Sequence, residues 1–268
     1  MAGINAKPIN VYGKVIDQFG QPVVDATVNG DTLLMISFER SGGETVSTIT
    51  DAQGRFSFTG LHGARFGLKI EKAGYKYDTQ LNVNWWNNYK PDPDNPAIFH
   101  MWKLQGAEPM VSDSKFYGIK PDGRFYTIDL INGTKTEGTT GQGDLIVQII
   151  RPAQIQQGQK FDWSFTMQAN DGGFIETTDP YLNEAPESGY QSQYTITMSA
   201  NDPNWQEEVQ DKTFYLESRN GTVYGQMRVT IIPNYNDTSV FKFESYVNPS
   251  GSRDLEIDPK KVTQAGKR

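Results

Sequence analysis

Between Phe161 and Gln168 the chain alternates without a break: Phe161, Trp163, Phe165 and Met167 are apolar, while Asp162, Ser164, Thr166 and Gln168 are polar. A period of two sends one set to each face of an extended strand, so this stretch must be a strand with one face buried. The rhythm recurs at Phe56 and Phe58 against Ser57 and Thr59, and at Tyr194, Ile196 and Met198. It returns at Val223, Met227, Val229 and Ile231, then at Phe241, Phe243 and Val247. Helical stripes are nearly absent. Reversals separate the strands, as at Asp17, Gly20 and Pro22 and at Asp51-Ala52-Gln53-Gly54. Asp caps the start of a tight turn through its carboxylate, and Gly accepts the positive φ at its end. Such a chain is all-β, and with Phe125–Leu130, Leu145–Ile150 and Thr213–Leu216 the second half alone offers at least seven strands at the spacing of an antiparallel sandwich.

In the first hundred residues the pattern becomes specific. Gly13-Lys14-Val15, Asp17, Gly20-Gln21-Pro22-Val23 and Ala26-Thr27-Val28 come first. Thr50-Asp51-Ala52-Gln53-Gly54-Arg55-Phe56, Gly60-Leu61 and Lys72-Ala73-Gly74-Tyr75 follow. Together they resemble the carboxypeptidase regulatory-like domain. The resemblance implies a transthyretin-like, seven-stranded sandwich, an accessory role beside other domains, and an exported setting. It implies no active site. The chain departs from that pattern after Tyr75, where KYDTQLNVNWWNNYKPDPDNP precedes the closing strand AIFHMWKL. Later segments, including 171–173, 184–190 and 248–256, resemble regions of uncharacterised exported bacterial proteins, a likeness that carries no activity.

Length permits a sizeable core, since a chain of 268 residues buries about 70–75% of its unfolded surface. The net charge of −7 and the absence of a Lys/Arg run argue against nucleic acid and an anionic membrane surface as partners, because both need a basic footprint. With no cysteine, disulfides and thiolate metal sites are excluded. The longest apolar run, Leu145–Ile150, is interrupted by Gln148 and far shorter than the ~20 residues of a membrane span. The start Met1-Ala2-Gly3 shows no charged-then-apolar leader, so the protein is either cytosolic or numbered in a mature form with a start codon added; the family resemblance favours the second, a secreted or cell-surface protein.

The organisation expected is two antiparallel β-sandwich domains. The first covers 1–105. The polar stretch QGAEPMVSDS reads as a linker, and 106–250 forms a second, jelly-roll or immunoglobulin-like sandwich. Residues 251–268 lose periodicity and read as an irregular tail.

Candidate chemistry starts in the inserted segment. Trp85, Trp86, Asn87, Asn88 and Tyr89 combine flat aromatic faces with amides, the mixture that stacks on and hydrogen-bonds to a sugar ring. Consecutive Trp85 and Trp86 point to opposite faces of a strand, so one of the two is free for ligand at most; the competing reading has one in the core and the other sealing a domain boundary. Asp92, Asp94 and Asn95 are weak calcium candidates, since calcium needs six to eight oxygens and Pro93 constrains the loop. A solvated Pro-rich loop is the simpler account, and no cofactor or metal is expected.

In the second half, Glu176, Asp179, Glu184 and Glu187 crowd one loop with Tyr181 and Tyr190 nearby. A glycosidase needs two carboxyls set about 5–5.5 Å or 6.5–9.5 Å apart, which sequence proximity does not establish. His62, read as part of the turn Gly60–Gly63, and His100, on a strand, are too few and too distant for a metal triad. No nucleophile elbow or zinc-helix motif occurs, and the glycines at 138, 141 and 143 precede a strand instead of a helix N-terminus. Asn132-Gly133 and Asn220-Gly221 read as type I′ hairpin turns.

The functional expectation is therefore a non-catalytic exported binding or structural module, with polysaccharide or a cell-surface partner as ligand through residues 85–89 and self-association possible. Two alternatives stand beside it. One is a surface or filament subunit assembling by strand addition, through an unpaired strand or the tail from Asn248 onward. The other is a polysaccharide hydrolase or lyase using the acidic loop 176–187.

Overall fold

The protein, seen in a computed structural model, is described over residues 7–37, 40–77, 86, 89–139, 143–156, 158–179, 181–236 and 238–267. It is all-β, and it divides into two compact units at Gln105/Gly106. Among the described residues no helix is long and apolar enough to cross a membrane.

The first unit contains β1 (Lys7–Ile16), β2 (Thr27–Ser37), β3 (Arg40–Gly42), β4 (Thr45–Ile49), β5 (Arg55–Gly63), β6 (Arg65–Glu71), β7 (Tyr75–Tyr77) and β8 (Ala97–Lys103). One sheet runs β5-β1-β8-β7. In the other, β2 is flanked by β4 and β6, with β3 against its far end. Inward residues of β1 (Ile9, Val11, Val15) meet Phe56, Phe58, Phe66 and Phe99 in a core closed to solvent. Both sequence-predicted turns form in the same way. Asp17 accepts the amides of Phe19 and Gln21 through Oδ1, and Asp51 accepts those of Gln53 and Arg55. Gly20 and Gly54 close the two turns at φ +73° and +72°.

Among the described residues of this unit, the strand pairing departs from purely antiparallel where β8 meets β1. β8 pairs with β1 in parallel, Gly13 opposite Ala97 through Ile16 opposite His100. β8 also pairs with β7, antiparallel, Tyr75 opposite Lys103, so β7 and β1 flank β8 and run in opposite directions.

The second unit contains β9 (Met110–Ile119), β10 (Tyr126–Asp129), β11 (Thr134–Glu137), β12 (Leu145–Ile150), β13 (Trp163–Ala169), β14 (Gly173–Glu176), β15 (Gln193–Met198), β16 (Val209–Ser218), β17 (Val223–Tyr235), β18 (Thr238–Asn248) and β19 (Val262–Gln264). A five-stranded sheet, β11-β10-β12-β13-β15, faces a six-stranded one, β14-β16-β17-β18-β9-β19. The alternating residues of β13 and β18 meet across the interior, where the rings of Phe165 and Phe241 stack with centroids 5.5 Å apart.

Three expectations are corrected in this unit. Residues 110–114, assigned to a linker, begin β9, which lies between β18 and β19. Its inward positions are Val111, Asp113, Lys115, Tyr117 and Ile119, and the charged pair in the middle breaks the apolar alternation that would announce a strand. The tail 251–268 is tied down. Leu255 is fully buried, and β19 adds to β9 in parallel, Val262 opposite Met110. Finally, Asn132 does not take a positive φ. The loop instead closes from the Gly133 amide to the Asp129 carbonyl, with Gly133 at +66°, whereas Asn220 and Gly221 are both positive, as a type I′ turn requires.

Candidate functional site

Of the aromatic segment, Trp86 and Tyr89 are described; Trp85, Asn87 and Asn88 lie outside the described residues. Trp86 is half-buried and packs against the core, its ring 6.1 Å from that of Phe66 and stacked on Tyr89 at 5.8 Å. The Tyr89 hydroxyl accepts the Tyr12 amide at 2.7 Å and lies 3.4 Å from the Tyr12 carbonyl oxygen, to which it donates. The cause is visible in the pairing. β8 begins to match β1 only at Gly13, because Pro96 precedes it and lacks the amide that a ladder needs. Tyr89 thus stands in for the missing strand at Tyr12. Burial raises the Tyr89 phenol, partly offset by its bond to the Tyr12 backbone.

Asp92, Asp94 and Asn95 follow in an exposed loop. Asp92 accepts the amides of Asp94 (2.9 Å) and Asn95 (3.2 Å) through one carboxylate oxygen, so that oxygen shapes its own turn. Among the described residues no group of three or more His, Asp or Glu side chains is placed to hold a metal ion.

This loop walls a groove of about 310 Å³ that runs past Tyr12 and the β4–β5 turn. Its apolar side is Pro93, Pro96 and Ile49, the last 63% exposed; Thr48, Arg55 and Ser57 supply hydroxyls and a guanidinium. An apolar ledge beside a few convergent polar groups is the usual make-up of a small-molecule site. Sequence reasoning placed the ligand face on residues 85–89 and did not find this groove, whose members come from β1, β4, β5 and the 91–96 loop.

The acidic loop of the second unit is organised differently from a catalytic pair. Glu176 forms an ion pair with Lys212 at 2.5 Å, and its hydrogen bond raises the Lys212 ammonium. Asp179 accepts the Tyr215 hydroxyl at 2.8 Å and the Tyr181 amide at 2.8 Å. Glu184 and Glu187 both face Arg253, at 3.5 and 3.1 Å. The Tyr190 hydroxyl donates to the Pro186 carbonyl, and burial raises that phenol strongly. Each carboxylate is thus engaged by a partner other than a second acid.

His62 is on β5, opposite Pro8, and not in a turn; His100 is on β8, opposite Ile16, and both are exposed.

Residues 10–88 match the carboxypeptidase regulatory-like domain. The match covers less than a third of the chain and lies wholly within the first unit. The match fits the β-sandwich of the first unit. The 91–96 loop that walls the groove lies beyond the matched residues. No curated relative matches the chain.

Proposed function

We propose that the protein is a non-catalytic, exported binding module that holds polysaccharide at the groove beside Tyr12. The observation that carries this reading is the groove itself, where an exposed Ile49 and two prolines form a ledge next to Arg55, Ser57 and Thr48. Sugar rings offer an apolar face and a rim of hydroxyls, and both find a counterpart there. Tyr89, stacked on Trp86, holds the backbone of Tyr12, which lines the groove, and this moves the ligand face from those rings to the groove. The exported setting is what the regulatory-like domain's usual companions suggest. Strand addition by the tail is less favoured, because β19 is already spent on its own sheet.

The test is affinity electrophoresis against a panel of polysaccharides with Ile49→Ala, Arg55→Ala and Trp85→Ala variants. Loss of retardation at unchanged melting temperature in the first two supports the groove. Unchanged retardation in both sinks it. Release of reducing ends by purified protein would transfer the case to the hydrolase alternative.

A further inference from the structure

We propose that the cleft along the β9–β18–β19 edge of the second unit binds a neutral polyhydroxylated molecule, a sugar unit or a polyol. This does not rest on the reading of the first unit's groove.

The starting point is Asp113. It occupies an inward position of β9, opposite Ser245 on β18, and is 5% exposed. One oxygen meets the Lys115 ammonium at 3.2 Å, while Oδ2 is closed to solvent and has no hydrogen-bond partner. Leaving a buried carboxylate oxygen unpaired costs more than a typical hydrogen bond contributes, so a fold that keeps one there gains from an incoming donor. Burial raises the Asp113 carboxyl despite the nearby Lys115 charge, which is the same penalty seen electrostatically.

Asp113 lines a cleft of about 360 Å³, within the usual range for small-ligand pockets of roughly 300–1,000 Å³. Its charges balance: Asp113 and Glu244 against Lys115 and Lys267. The rest of the lining is mostly hydroxyl and amide, including Ser245 and Gln264. A lining with no net charge disfavours both an anion and a cation, and its density of donors and acceptors fits a molecule rich in hydroxyls. A ligand hydroxyl donates to Asp113 while its oxygen accepts from Lys115.

Access comes from the chain's last residues. Ala265 donates its amide to the Ser112 carbonyl at 2.9 Å, and Gly266 donates to Ile131 at 3.2 Å. Gly266 has a φ of +72°, and Gln264 and Lys267 are exposed. Reaching Oδ2 requires the backbone at Ala265 and Gly266 to shift, which breaks these two hydrogen bonds while Gln264 and Lys267 stay beside the site. Binding at Asp113 and a shift of the Ala265–Gly266 backbone are therefore one event.

The experiment is an amide NMR titration of the full chain with D-glucose and with mannitol. Expected are shifts confined to Ser112, Asp113, Ala265 and Gly266, and an affinity about tenfold weaker in Asp113→Asn, the size of one charge-assisted hydrogen bond. Arg55→Ala in the first unit should leave the titration unchanged, so failure here and failure of the groove reading are separable. If Asp113→Asn does not fold, the exposed Gln264→Ala/Lys267→Ala pair decides; undiminished affinity overturns the proposal. Shifts with sodium phosphate or putrescine in place of the sugars overturn the ligand class. No shift with either polyol overturns the site.

Discussion

The Arg219 guanidinium donates its Nε–H to the Asp144 carboxylate at 2.8 Å, and Asp144 is wholly buried. The second Asp144 oxygen accepts the guanidinium at 2.9 Å and the Leu130 amide at 2.8 Å, while Ser218 donates its hydroxyl to the first. Arg219 also reaches Asp129 at 3.0 Å. Burial alone would raise Asp129; bonds from Asn132 and the charge of Arg219 outweigh it and hold that carboxyl below its usual range. The cluster ties the turn after β16 to β10 and to the residue preceding β12, joining the two sheets of the second unit by charge where their apolar faces end.

Arg219→Met leaves Asp144 buried without its counter-charge. Breaking one partner of a buried pair costs about 3–5 kcal/mol. Urea denaturation should therefore show a large loss in stability, and a change below about 1 kcal/mol would mean that the pair contributes no more than an exposed one.

Asp113 gives a pH dependence of definite sign. Its folded carboxyl is raised by burial, so the folded state binds a proton more readily than the unfolded one. Stability then increases as pH falls through the folded value toward the unfolded value of about 3.9, and the ionised group is a burden at neutral pH. Asp113→Asn should raise the melting temperature at pH 7 and show a shrinking advantage as the pH is lowered. An equal or larger advantage at low pH would contradict the assignment.

Tyr89→Phe keeps the ring on Trp86 and removes the hydroxyl from the Tyr12 amide. The expected cost is about 1 kcal/mol, the worth of one hydrogen bond in a half-buried place. Tyr12 should also exchange its amide proton faster; unchanged exchange would show that the strand edge is satisfied by something else.

Gly54→Ala is predicted to destabilise the first unit by about 2 kcal/mol or more, from a strained positive φ together with a steric clash. A Cβ there would sit 2.4 Å from the Val15 carbonyl oxygen, and that strand cannot yield without breaking the Val15 amide's bond to Gly54. Thermal unfolding of the variant measures it. A neutral result would mean that the turn opens at little cost.

Where the inward positions were mostly apolar, the strands were legible from sequence: β5, β13, β17 and β18 follow their alternation, and the Asp17 and Asp51 turns follow local side-chain chemistry. β9 was not legible, because Asp113 and Lys115 stand at inward positions and interrupt its apolar alternation. The tail was missed for a related reason. β19 has no apolar rhythm of its own, and its partner is 152 residues away, Val262 against Met110. The candidate sites divide in the same way. Residues 85–89 and 176–187 were visible as composition, but the groove at Tyr12 and the cleft at Asp113 are each assembled from segments far apart in the chain.

Period-two patterning and turn chemistry, both local, thus determined that this protein is all-β and where most reversals fall. Tertiary structure alone decided that β8 and β19 enter in parallel, which carboxylates are paired, and which one keeps an unpaired oxygen. Those outcomes depend on what is brought opposite each group across the sandwich, and no short-range rule encodes that.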